Sequence, residues 1–148
     1  MTVVLDAYAV IAYLRGEPAS DQVAELLAEP TLLAAVNAAE VIDQLVRVWQ
    51  RDRDDVEVAL AMLGRTGLEI VDATETVAID AGRLRAAHYD RRSRPVSMAD
   101  CFAAATALAA GVRLATSDPH LIDVVRAEAG EVVALPDCRG QVLRSTAP

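Results

Sequence analysis

Short apolar runs alternate with longer amphipathic stretches along this chain, and the alternation predicts its elements. Residues 2–5, 31–36, 68–71, 112–115 and 131–135 are apolar, brief and rich in Val, Leu and Ile, which is the pattern of strands buried on both faces. Between them lie helical patterns at 7–14, 20–28, 37–50, 52–63, 74–89, 97–111 and 118–129. Pro30 stops the second helix, Gly64 and Gly67 end the fourth, and Gly111 ends the Ala-rich sixth. Val41, Ile42, Leu45, Val48 and Trp49 form one stripe, expected to be core together with Val56, Leu60 and Leu63. Trp49, the only Trp and near a helix end, is also a candidate partner anchor. No two-residue hairpin signal joins successive strands, so the sheet is expected to be parallel and covered by helices on both faces.

At 148 residues, 53% of them hydrophobic, the chain is expected to form one domain over 1–148, with 136–148 as a tail lacking clear pattern. The formal net charge of −8 argues against indiscriminate electrostatic capture of nucleic acid, although it leaves room for a local basic patch. One Trp, one Phe and three Tyr provide little base-stacking surface. All fourteen cationic side chains are Arg, which removes Schiff-base chemistry and the phosphate-loop Lys. Cys101 and Cys138 stand apart, without zinc-ligand spacing or a disulfide framework, and a reducing cytoplasm is the expected compartment. The apolar stretch 103–110 falls far short of the ~20 residues needed to span a bilayer, so no membrane association is expected.

Four acids stand where apolar runs give way to helices: Asp6, Glu40, Asp100 and Asp118. Each has an ordinary explanation as a helix cap or first-turn acid. Asp118 precedes Pro119, and Asn37 to Glu40 and Ser97 to Asp100 both have capping-box spacing. Capping does not explain why three acids follow three different parallel strands, whose carboxyl ends are where open α/β folds place ligands. Gathered carboxylates repel one another and raise each other's pKa, and a divalent cation relieves that repulsion. With oxygen donors alone the hard ions Mg²⁺ and Mn²⁺ fit better than zinc, and their chemistry suits phosphodiester hydrolysis. Asp43, Asp72, Glu75 and Asp123 are competing acids, and Asp72 is expected to cap the following helix. His120 is expected to be structural or solvated.

The runs Val3-Val4-Leu5-Asp6, Met98-Ala99-Asp100-Cys101-Phe102 and Leu114-Ala115-Thr116-Ser117-Asp118, with Glu40 in the third helix, resemble the four motifs of PIN-domain nucleases. In length and in the wording of residues 6–14 the chain resembles the VapC toxins of bacterial toxin–antitoxin pairs, and the likeness extends to about residue 135. That resemblance implies a three-layer α/β/α sandwich with a central parallel five-stranded sheet. It also implies Mg²⁺- or Mn²⁺-dependent cleavage of RNA, homodimerisation and a cognate antitoxin that occludes the site. Carried over, Asp6, Glu40, Asp100 and Asp118 become the acidic quartet. Many relatives have Ser or Thr two residues after the first Asp; here Tyr8 stands there, leaving Thr116 or Ser117 to support the metal shell.

The segment 83–94 holds five Arg and one His against a single acid and leads into the helix carrying Asp100. Arg91, Arg92 and Arg94 are therefore candidates for gripping RNA phosphates, balanced against a solvated helix end whose cations complement the dipole. Three other readings compete: a silent PIN-like binding module, a housekeeping nuclease without antitoxin, and a phosphoacceptor receiver domain. The last relies on a Lys that this chain lacks.

Overall fold

The computed structural model describes residues 1–142, so the end of the expected tail, 143–148, lies outside the described residues. Five strands form one sheet: β1 (Val3–Leu5), β2 (Thr31–Ala34), β3 (Leu68–Val71), β4 (Arg113–Thr116) and β5 (Val132–Ala134). Their order is β3-β2-β1-β4-β5 and every pairing is parallel. Seven helices connect and cover them: α1 (Ala7–Arg15), α2 (Ser20–Leu27), α3 (Ala35–Asp43), α4 (Arg53–Arg65), α5 (Glu75–His88), α6 (Met98–Ala110) and α7 (Pro119–Ala127). None is long and apolar enough to cross a membrane.

Alternation along β1 divides the interior. Val3 and Leu5 join a core with α1 to α4, through Val10, Val23, Val41 and Leu60. Val4 faces the opposite core with α5 to α7, through Leu84, Ala104, Leu121 and Val124. The expected α/β/α sandwich is thus present, and β1 lies at its middle, where the chain reverses its direction of travel across the sheet. That reversal opens a crevice at the carboxyl ends of β1 and β4. Helix α6 packs tightly behind it because its inner positions are small: Ala103, Ala104, Ala105 and Ala107 are buried.

Three local expectations are corrected. Helix α3 starts at Ala35, directly from β2, and Asn37 does not cap it; Ala34 occupies the cap position without a side-chain bond. A buried contact of Asn37 with α6 overrides its capping preference. The same helix ends in a π-helical turn, Gln44–Val48, with Trp49 N donating to Gln44 O at 3.1 Å. The wider turn shifts the apolar stripe, so Val48 and Trp49 are 45% and 46% exposed while Leu45 stays buried. The guanidinium of Arg15 lies over the Trp49 ring, 3.2 Å from its centroid. Finally, Thr74 rather than Asp72 caps α5, its hydroxyl accepting from Val77 N at 3.2 Å.

Gly111 closes α6 in the left-handed conformation at φ 64°, where its N–H satisfies the last carbonyls. Gly111→Ala, which meets no steric obstacle but must hold that φ, is expected to cost about 1–2 kcal/mol in denaturant unfolding and to leave any activity per folded molecule unchanged.

Candidate active site

Three of the four acids are held by the helices they begin. Asp6 Oδ1 accepts from Ala9 N at 2.8 Å, and Asp118 Oδ1 accepts from His120 N at 2.8 Å. Asp100 forms a capping box, its Oδ2 accepting from Ser97 N at 2.7 Å while Ser97 Oγ accepts from its own N–H at 3.0 Å. Capping and a functional site are therefore not alternatives here. One oxygen of each carboxylate takes the backbone bond, which restricts the side chain's rotamer. Glu40 differs: it stands in the second turn of α3 and caps nothing.

The four form an electrostatic neighbourhood with Asp100 at its centre. Burial pushes the Asp6 carboxyl up to about 7, with further repulsion from Asp100 and Asp118 opposing the hydrogen bonds from Thr116 and Ala9. Burial also raises Glu40, reinforced by Asp100. Asp100 itself is raised, mainly by burial and further by Asp118. Among the described residues none of the four makes an ion pair with an Arg or His. The cluster thus has no counter-charge among the described residues.

Among the described residues no three carboxylate, imidazole or thiol groups converge closely enough to hold an ion unaided. An ion bound here would take one or two carboxylates directly and keep several waters, which is the habit of Mg²⁺ and not of a structural zinc. The donor chemistry fits a hard divalent cation on those terms: oxygen ligands, excess negative charge and a buried carboxyl that is hard to ionise.

The supporting residues separate cleanly. Thr116, buried at the end of β4, hydrogen-bonds the Asp6 carboxylate and also accepts from Asp118 N at 3.1 Å, joining two acids. Ser117 instead meets the Tyr8 hydroxyl. Tyr8 points that hydroxyl to Pro136 O at 3.0 Å, fastening the segment after β5 beside the site. Sequence reasoning missed Asn37 as a contributor. It is 1% exposed, and its Nδ2 donates to Ala99 O at 3.1 Å, the residue before Asp100. Its position one turn before Glu40 was the available signal.

Of the competing acids, Asp43 is paired with Arg47 at 2.7 Å and adds to the repulsion on Glu40, while Asp72 and Glu75 are exposed. His120 enters through its backbone N–H. The basic segment is partly committed to structure. Arg83 pairs with Asp80, Arg85 donates to Val96 O at 3.2 Å, and Arg94 lies 3.1 Å from His88 Nδ1, whose Nε2 is 2.6 Å from Glu128. Asp90 closes the turn by accepting from Arg92 N and Ser93 N, leaving the Arg91 and Arg92 side chains exposed. A groove of about 370 Å³ runs from Glu40 past Tyr8 and Gln44 to Trp49 and Arg15. A cavity of about 500 Å³ opens at the amino-terminal edge of the sheet among Met1, Gly111 and Glu131, remote from the acids.

The PIN domain profile matches residues 3–127, spanning β1 to the end of α7 and all four acids. The chain belongs to the PIN domain family. No curated protein sequence matches this PIN domain significantly. Among solved structures it is similar to VapBC2 from Rickettsia felis bound to a promoter DNA fragment, at 18% identity and a TM-score of 0.67, covering 90% of this chain and 98% of that one. It is similar also to a Mycobacterium tuberculosis VapC described as a sarcin–ricin loop cleaving toxin, at 16% identity and a TM-score of 0.67, covering 90% and 99%. FitAcB from Neisseria gonorrhoeae matches at 22% identity and a TM-score of 0.60, over 88% and 95%. These likenesses establish the fold.

The raised Asp6 carboxyl has a signed consequence for stability. Its folded pKa exceeds the ordinary value of 3.8, so its contribution is fully present below about pH 4 and is lost as pH rises through about 7. Without divalent metal, the wild-type melting temperature is expected to fall across that window. Asp6→Asn, which keeps an oxygen for Ala9 N, should flatten the fall and melt several degrees higher at pH 8, as read by thermal denaturation with a chelator present. An identical pH profile in the two proteins would show that Asp6 ionises without hindrance.

Proposed function

We propose that this PIN domain is a divalent-metal-dependent endoribonuclease and the toxin of a toxin–antitoxin pair. The observation that carries the reading is the set of four mutually repelling carboxylates at the β1/β4 crevice, three of them pinned by their helix termini and none neutralised by an Arg or His among the described residues. The toxin assignment is supported by the printed descriptions of the similar structures, toxin–antitoxin complexes and a loop-cleaving toxin among them. By the same analogy the partners are an RNA substrate, a cognate antitoxin and a second copy of the chain.

Asp6, Glu40, Asp100 and Asp118 would hold the ion, Mg²⁺ or Mn²⁺, through one or two direct carboxylates and otherwise through water. When bound, the ion supplies a polarised phosphoryl oxygen and a more acidic water for in-line attack. The chain's own contribution is placement. The backbone bonds to Ala9, Ser97 and His120 fix three carboxylates, and the Thr116 hydroxyl supports Asp6. Asp6, whose burial favours its protonated form, would have to give up that proton to serve as a ligand. Arg91 and Arg92, exposed on their turn, would hold phosphates beyond the scissile one. Arg94 is a weaker candidate for that role because His88 already engages it.

The silent-module alternative is disfavoured by the electrostatics. A protein that only held RNA would gain nothing from a carboxyl raised by burial and further by its acidic neighbours, and the gathered negative charge repels phosphate.

Two outcomes check this reading. Asp100→Asn retains an oxygen for Ser97 N but removes a charge, and is expected to abolish RNA cleavage and growth inhibition while folding persists. If Asp100 serves only its capping box, the variant would instead lose stability, by at most ~0.5–2 kcal/mol, and keep full activity per folded molecule. Separately, replacing Arg91 and Arg92 by Gln should weaken RNA binding and lower its salt slope by about one unit per lost contact, with a smaller change for Arg94→Gln. Unchanged slopes would make the turn an ordinary solvated surface.

A further inference from the structure

Glu40 and Asp100 reach the site from different elements, α3 and α6, and they repel. Something must hold those two helices together at that point. The side chain best placed to do so is Asn37, which lies on α3 one turn before Glu40. Its amide has two N–H donors. One is given to Ala99 O at 3.1 Å, bridging 62 positions of sequence to the residue preceding Asp100. The amide is also within hydrogen-bonding reach of the Glu40 carboxylate.

This placement carries a penalty that an apolar residue would avoid. Asn37 Oδ1 is buried and has no hydrogen-bond partner among the described residues. An orphaned acceptor of that kind costs about 1–3 kcal/mol, whereas a Leu would suit a position buried between α3 and the Ala-rich helix α6. Local violations of this sort are expected where function requires the group. Asp at this position would offer no donors and add a fifth negative charge, and Ser would offer a single donor. Asn is the small residue that can give one N–H to each neighbour.

We infer that Asn37 is a positioning residue: its amide clamps the start of α6 to α3, setting the spacing of Asp100 and Glu40 for the cation and the RNA phosphate that the nuclease reading places between them. The inference rests on that reading and specifies how the site is kept assembled.

The test compares wild type, Asn37→Leu and Asn37→Ser in three measurements made well below their melting temperatures. These are the Mn²⁺ midpoint of the thermal shift without RNA, kcat, and KM for a cleavable RNA. Loss of a residue that orients metal ligands typically weakens metal affinity or activity by about 10–100-fold. Asn37→Leu is expected to raise the Mn²⁺ midpoint and lower kcat by that order, with KM within about threefold, because the loss falls on the transition state rather than on uniform binding. Its stability without metal should equal or exceed that of wild type, and Asn37→Ser, with one donor kept, should fall between. A purely structural Asn37 gives a different pattern: Asn37→Leu keeps both the Mn²⁺ midpoint and kcat near wild type whatever its melting temperature, and that result overturns the inference. If Asn37→Leu does not fold, the same criteria applied to Asn37→Ser decide. Failure of the wild type to cleave any RNA in Mn²⁺ would count against the nuclease reading instead, while the Mn²⁺ midpoints would still judge Asn37.

Discussion

The burial of one carboxyl at the centre of a parallel sheet is the constraint around which this structure is arranged. Asp6 follows the middle strand, so its neighbours are set by topology: β4 brings Thr116 alongside, and α6 and α7 bring Asp100 and Asp118 within range. Such a group stays ionised at neutral pH only with hydrogen bonds to its charged form and a nearby compensating charge, and otherwise takes up a proton. The chain supplies the hydrogen bonds, from Ala9 N and Thr116, but no compensating Arg or His among its described residues. That asymmetry links fold to function, because a site so built is stabilised by what binds it.

The capping arrangement explains how the repulsion is held in check. A helix N-terminus carries partial positive charge and unpaired N–H groups, so an acid placed there gains stabilisation at the position where it meets other acids. Three N-termini converge at the crevice, and each holds one carboxylate. Glu40 lacks this support, since α3 begins five residues before it at Ala35. Its position depends on side-chain contacts between helices, which makes the α3–α6 contact the least self-supporting part of the site.

Much of this was legible in the sequence because strands, caps and helix ends are local. The apolar runs located all five strands, Ser97 and Gly111 marked both ends of α6, and the acids at strand ends stood out from ordinary surface charge. The errors arose where a distant partner decided the outcome. Asn37 looked like a cap because Asn generally prefers that position, but a carbonyl 62 residues away claimed its amide. Val48 and Trp49 continued a regular stripe on paper, yet the π turn rotated them outward. Thr116 and Ser117 were equivalent by spacing, and only the fold directed one hydroxyl to Asp6 and the other to Tyr8.

By itself the sequence determined the periodicities, hence the parallel sheet with helices on both faces, and it determined which residue types could reach the carboxyl edge. These depend on neighbours three or four positions apart, whose geometry is fixed by the backbone. Tertiary structure alone decided that Asp100 lies within range of all three other acids, that Arg94 is bound to His88 while Arg91 and Arg92 are exposed in the turn, and that Asn37 joins two helices. Charge interactions and buried hydrogen bonds act through space, and strand order, which sets those distances, is not written in any local stretch of the chain.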